Sequence, residues 1–347
     1  MKQEEIIKGF VQLGKLMVSL GEGKSWSDFT IGVTEEEYQQ LEDIVERQFS
    51  YNGWFTKENV QQSLLALGNQ LSEDQLNNWV SKYKYSNQPK AVSLIMAGNI
   101  PLVGFHDFLC VLISGHKAIC KLSSDDKTLL PALAEHLINF VPELKKRIVM
   151  TTGRIEEIDA VIATGSDNSL KYFEQYFGKY PHIFRSNRTS IAVITGDESK
   201  EDLEALGKDI FDYFGLGCRN VSHIMFPEGY EVSRFFEGIF AYSDVINNKK
   251  YGNNYDYNKA VYLMNMEPLL DNNFVLLRET DLLFSPLAMV NYHYYKNEDE
   301  ITSYIEKHND EIQVVIGEKY TPFGQAQCPM LDDYADGVDT MEWLSSL

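Results

Sequence analysis

Among four cysteines, one stands where it could react. Cys218 lies in FDYFGLGCRNVSHIMFP, with glycines around it and an apolar, β-prone run behind, so a substrate can approach its sulfur and backbone amide closely. A thiolate attacks carbonyls and thioesters far better than a hydroxyl does, and amides at a helix end favour its ionised form. The competing reading is a small buried hydrophobe, since free cysteines are among the most buried residues. His223 follows on an expected strand, but the intervening turn leaves its phase undefined, which keeps a Cys/His hydrolase open. Cys110 and Cys120 sit in apolar helix and strand text and read as core. Cys328, beside Pro329, receives no chemistry. His106 and Asp107 read as core or as support behind a site.

These residues must be positioned by a chain long enough for two domains. At 347 residues, with 44% hydrophobic and 12% aromatic content, it exceeds what one core usually organises. A net charge of −20 argues against nucleic-acid or anionic-membrane partners, which are themselves polyanionic. The cysteines show no CxxC spacing and no histidine cluster, so no metal site is expected, and reduced thiols fit a cytoplasmic location. The opening MKQEEIIKGF lacks the pattern of a signal peptide, and no apolar run reaches membrane-spanning length.

Residues 1–88 read as a helical N-terminal region, ENVQQSLLALGNQLSEDQLNNWVSKY giving apolar positions at three and four spacing. KAVSLIMAGNIPLVGFHDFLCVLISG then reads as strand, turn and buried helix. HKAICKLSS, RIVMTTG and IDAVIATGS follow as strands, TLLPALAEHLINFV and NSLKYFEQYFGKY as helices, an alternation that predicts a parallel sheet covered by helices. After TSIAVITG and a helix over DESKEDLEALGKDIFDYFG the alternation resumes, with NVSHIMFP, LLFSPLAMVNYHYY and IQVVIGE as strands. NNKKYGNNYDYNK reads as a polar loop. The tail is too apolar at its end to be a loose appendage.

Neither GxGxxG nor GxxxxGKS/T occurs. Four segments in order, AGNIPLVGFHDFLCVLISGHKAICKLSS, VIATGSDNSL, RSNRTSIAVITGDES and FGLGCRN, together with the GVDT tail, resemble the aldehyde dehydrogenase superfamily, and more closely its LuxC-type acyl-CoA or acyl-protein reductases. The resemblance covers about residues 90–347. It implies an α/β fold: a Rossmann-like parallel-sheet cofactor domain over 89–183, an α/β catalytic domain over 184–315, and a tail over 316–347 packing on the cofactor domain or a partner subunit. It implies Cys218 as nucleophile and the Asn99 amide as a donor to the oxyanion, which needs two convergent donors about 3 Å away; the competing reading of Asn99 is a turn residue before Pro101.

The resemblance also implies Lys121 and Ser123 at the cofactor, the lysine favouring NADPH with NADH as the alternative, and Gly165 and Ser166 beneath the pyrophosphate at a helix start. A Gly-Ser turn capping a helix explains the last two equally well. The glutamate that activates water in hydrolytic relatives falls on Phe184, with no carboxylate nearby, which points to reduction of a thioester to an aldehyde. Leu282 stands where a glutamate usually holds the nicotinamide ribose, with Glu279 or Asp281 as substitutes. Implied partners are an acyl-CoA or acyl-protein thioester, an acyl-donating protein and a second copy in a homodimer. Two other readings stay open: a catalytically inactive binding or assembly subunit of this fold, and a Cys-dependent thioester hydrolase or acyltransferase.

Overall fold

A computed structural model describes residues 1–347, the side chain of Asp167 excepted. The chain forms two compact units, one of residues 1–186 and 330–347, the other of 187–329.

The first unit opens with four helices, α1 (Gln3–Gly21), α2 (Glu35–Tyr51), α3 (Lys57–Asn69) and α4 (Glu73–Val80). In α1 the residues Ile6, Phe10, Leu13, Met17 and Leu20 recur at helical spacing and are buried, so one apolar stripe faces inward. Thr34, Thr56 and Ser72 cap the next three helices, each accepting a backbone N–H of the first turn. The sheet follows: β1 (Ala91–Ile95), α5 (Phe105–Ile113), β2 (Lys117–Lys121), α6 (Leu129–Phe140), β3 (Ile148–Thr151), β4 (Ala160–Thr164), α7 (Asp167–Phe177) and β5 (His182–Arg185). Its five strands run parallel in the order β3-β2-β1-β4-β5. The N-terminal helices share a core with it, Phe10 meeting Phe105 and Phe108 of α5 edge-on at ring distances of 6.4 Å.

The second unit holds β6 (Thr189–Val193), α8 (Lys200–Phe211), β7 (Val221–Pro227), α9 (Val232–Gly238), α10 (Lys249–Met264), β8 (Leu270–Asp271), β9 (Leu276–Glu279), β10 (Met289–Tyr295), α11 (Glu298–Lys307) and β11 (Ile312–Ile316). The sheet order is β11-β6-β7-β10-β9-β8, parallel except for the β8–β9 pair. Two expectations are corrected here. The asparagine-rich stretch is helix α10, not a loop: Asn248 caps it by accepting from the N–H groups of Lys250 and Tyr251. Its buried positions, Tyr251, Tyr255 and Asn258, recur at helical spacing but are residue types that read as polar in the sequence. LLFSPLA is not strand, and β10 starts only at Met289, after Pro286 and a Ser285 hydroxyl bonded to the Met289 carbonyl.

The last helix, α12 (Thr340–Ser345), belongs to the first unit, where Met341 and Leu344 enter the core. The segment before it is tied down residue by residue. His106 Nε2 meets the Leu331 carbonyl at 3.0 Å, Trp79 Nε1 donates to the Tyr334 hydroxyl at 2.9 Å, and His116 Nε2 meets the Leu344 carbonyl at 2.9 Å. Buried Arg185 donates to Asp107 at 2.6 Å, to the Thr340 hydroxyl at 2.9 Å and to the Ala335 carbonyl at 3.1 Å. His106 and Asp107 therefore hold the C-terminal segment. No helix among the described residues is long and apolar enough to cross a membrane.

Candidate active site

The first unit gathers the residues expected at a cofactor. The connections from β1 run one way to β2 and β3, while β4 and β5 lie on the other side, so the strand order reverses beside β1. Ligands of open parallel sheets bind at the carboxyl edge of such a reversal. Lys121 ends β2 and pairs in register with Ile95 at the end of β1. Asn99 lies in the loop after β1, and this loop packs on the one after β2: a Cβ at Gly98 would stand 2.5 Å from Ser123 Oγ. Ser123 Oγ in turn accepts the Asp125 N–H at 3.2 Å. The far side of the β1 loop is fixed by Asp126, which accepts the N–H of Leu102, a residue in the left-handed region at φ 59°. Burial pushes the Asp126 carboxyl up to about 6, against the backbone N–H groups of Leu102 and Leu129.

Gly165 and Ser166 link β4 to α7. A Cβ on Gly165 would come within 2.8 Å of Ser169 Cβ, so only glycine lets the helix start this close to the strand. Ser166 caps α7, its hydroxyl oxygen accepting the Ser169 N–H at 3.4 Å. The first turn of α7, Lys121 and Ser123 all follow strands at the carboxyl edge of this sheet, where backbone amides and a lysine are groups that could hold an anionic dinucleotide.

Phe184 lies within β5. Its ring stacks on His182 at 4.0 Å and 13° and packs against Phe173 of α7 at 5.9 Å.

Cys218 stands in the second unit, exposed, between α8 and β7. Its approach is strained: Tyr213 (φ 52°, ψ 26°) and Phe214 (φ 58°, ψ 24°) are both left-handed, followed by Gly215 at φ 78°. Each non-glycine residue in that region costs about 1–2 kcal/mol, and such strain persists only where the surroundings hold it. Residues 217–220 then form a turn closed twice by Asn220. Its N–H donates to the Gly217 carbonyl at 3.0 Å, and its Oδ1 accepts the Gly217 N–H at 2.8 Å. The Asn220 Nδ2 donates to the carbonyls of Asp212 at 2.9 Å, Asp209 at 3.1 Å and Ile210 at 3.4 Å. Ser190 on β6 donates its hydroxyl to the Cys218 carbonyl at 3.0 Å.

The sequence left open whether a helix end favours the thiolate. Cys218 follows the carbonyl end of α8 and does not open a helix. Behind the turn, the buried Asp209 carboxylate accepts the N–H groups of Gly324 at 2.6 Å and Ala326 at 3.0 Å, while Arg219 reaches the Ala326 carbonyl. Burial raises the Asp209 carboxyl to about 6 despite those two amides.

His223 has a different task. It is fully buried on β7, and its Nδ1–H donates to the Leu282 carbonyl at 2.9 Å. That leaves Nε2 to accept from His293 Nδ1 at 2.6 Å, and the ring stacks on Tyr304 at 5.0 Å. With both nitrogens engaged it is no base for Cys218; burial, and then the neighbouring His293, pull it down to about 3. The Leu282 side chain is exposed, as are Glu279 and Asp281. Ser190, Asp209 and Asn220 were not singled out from the sequence. Only Asn220, a turn-forming type two places after the cysteine, carries a local signal there.

The family model for acyl-CoA reductase (LuxC) matches residues 22–232. A long-chain acyl-protein thioester reductase of Aliivibrio fischeri is 28% identical over 158 residues, which are 40% of this chain and 32% of that protein, so the match spans about a third of the relative's length. Aldehyde dehydrogenase 21 of Physcomitrella patens, solved with the reaction product succinate, superposes with a TM-score of 0.64 at 11% identity, covering 92% of this chain and 74% of its own. A Mycobacterium tuberculosis aldehyde dehydrogenase complexed with NAD+ gives 0.59 at 12% identity, covering 88% and 72%. These structures show that the chain has the aldehyde dehydrogenase fold.

Proposed function

The chain belongs to the LuxC acyl-CoA reductase family within the aldehyde dehydrogenase superfamily, and from that premise we propose that it reduces an acyl thioester to an aldehyde through an acyl group carried on Cys218. The observation that carries this reading is Cys218 itself, exposed at the tip of a doubly closed turn. The Cys218 thiolate attacks the thioester carbonyl, the carbon–sulfur bond to the donor breaks, and the donor leaves as a thiol or thiolate. The Cys218 backbone N–H is one donor to the oxyanion, and the family resemblance assigns the other to the Asn99 side-chain amide, such a donor being worth about 2.7–4 kcal/mol at the transition state. The family resemblance puts Phe184 at the position of the water-activating glutamate, and a phenylalanine is no base, which favours an acyl group that is reduced over one that leaves as a free acid. A reduced nicotinamide, when bound, supplies the hydride that converts the acyl group to the aldehyde.

Lys121, Ser123, Gly165 and Ser166 hold that cofactor, the Lys121 ammonium favouring NADPH over NADH by pairing with a ribose phosphate. The acyl donor is a fatty acyl-CoA or acyl-protein, delivered to the protein in the cytoplasm, where its thiols stay reduced. Engagement of both His223 nitrogens favours this reading over a Cys/His hydrolase.

The test is purified protein with a series of acyl-CoA thioesters and NADPH, following NADPH absorbance and aldehyde formation, with Cys218→Ala as control. NADPH loss that stops in the variant is expected. Thioester cleavage by the wild type without NADPH loss would mean a hydrolase, and neither activity a binding subunit.

A further inference from the structure

We propose that Asn220 is the positioning residue of the nucleophile, setting the direction of the Cys218 sulfur and backbone N–H without touching substrate. The proposal rests on the reading of Cys218 as the nucleophile. Its ground is the way one side chain joins both flanks of a strained turn. On the near flank Asn220 Nδ2 meets the carbonyls of Asp209, Ile210 and Asp212, where α8 ends. On the far flank Asn220 Oδ1 takes the Gly217 N–H. Between them lie the left-handed Tyr213, Phe214 and Gly215, a conformation the chain would leave if its ends were released.

Two hydrogen bonds between Gly217 and Asn220 close the turn on either side of Cys218. Asn220 is also buried at 2% exposure, and its amide takes up the partial negative charge of the carbonyls at the end of α8. An asparagine is required chemically: it must accept on one side and donate twice on the other, and aspartate cannot donate.

Two variants, Asn220→Ala and Asn220→Asp, test this in a Cys328→Ser background, which leaves Cys218 as the exposed cysteine. In both, kcat for thioester reduction is expected to fall about 100-fold with KM little changed, the scale of misplacing one catalytic group. Alkylation of Cys218 by iodoacetamide, which needs no oxyanion donor, should persist, with its pH profile moved to higher pH, most in the aspartate variant. A folded Ala or Asp variant with wild-type kcat and an unmoved profile overturns the proposal. If neither variant folds, amide hydrogen exchange on the wild type decides, since a Gly217 N–H exchanging as fast as open loops overturns it and a protected one supports it. A Cys218→Ala protein that keeps reductase activity would instead sink the nucleophile reading, whereas an inactive one beside an unimpaired Asn220→Ala sinks only the role given to Asn220.

Discussion

Replacing Asp107 with alanine should weaken the first unit by about 3–5 kcal/mol, the usual cost of removing one partner of a buried ion pair. Arg185 is 3% exposed, and its contact to Asp107 measures 2.6 Å. Without the carboxylate the guanidinium keeps only neutral acceptors, the Thr340 hydroxyl and the Ala335 carbonyl, and its Nε already has no partner among the described residues. A buried cation left in that state is the source of the loss, not the pair's own attraction. Domains are stable by about 5–15 kcal/mol, so the change takes a large share. All four tryptophans, Trp26, Trp54, Trp79 and Trp343, lie in the first unit, so their fluorescence during urea unfolding reports that unit alone. With a slope of about 2 kcal/mol per molar urea, the midpoint should drop by about 1.5–2.5 M.

Asp107→Asn, which keeps the shape and an acceptor, should lose about half as much, and Asp107→Leu with Arg185→Met should recover most of the stability. Proteolysis should cut the variant near residues 331–339 first, where Arg185, His106 and Trp79 hold the chain. An Asp107→Ala midpoint within about 0.5 M of wild type would refute the argument.

Asp126→Asn should remove a pH dependence from the same unit. The native carboxyl holds its proton up to about 6 against 3.8 when unfolded, so this group's contribution is largest below pH 4 and falls by on the order of 3 kcal/mol as pH rises through 6; equal slopes for wild type and variant in tryptophan-monitored unfolding would count against it. Gly98→Ala, whose Cβ would crowd Ser123, should weaken NADPH binding about tenfold by fluorescence titration, and an unchanged affinity would remove these loops from the cofactor site. The His223 ring should stay neutral from pH 8 to 5 in proton NMR, and a midpoint above 5.5 would show that burial does not control it. Ser190→Ala, which deletes the donor to the Cys218 carbonyl, should destabilise the second unit by about 1 kcal/mol in chemical unfolding and reduce kcat less than the Asn220 variants do.

What the sequence determined by itself was largely what local chemistry repeats. The alternation of apolar runs with turn residues located β1, β2, β4, β6 and β7 and the helices between them, because buried parallel strands need continuous apolar text. The exposure of Cys218 was legible too, since Gly215 and Gly217 just before it leave little to cover it. Where burial changes what a residue means, the sequence misled. Tyrosines and asparagines of α10 read as a loop because polar atoms hide how much ring surface they bury.

The rest depended on contacts between residues far apart in the chain. His223 could not be placed as a base or dismissed while its phase was undefined, and only its bonds to Leu282 and His293, some 60 to 70 positions away, engage both nitrogens. His106 became an anchor because Leu331 returns to it across more than 200 residues, and Asp107 became one through Arg185, which reaches Thr340 and Ala335. The left-handed run before Cys218 is invisible locally, since tyrosine and phenylalanine do not favour it; packing and the Asn220 hydrogen bonds impose it. Residue types set which chemistry was available, and long-range hydrogen bonds decided which groups are placed to perform it.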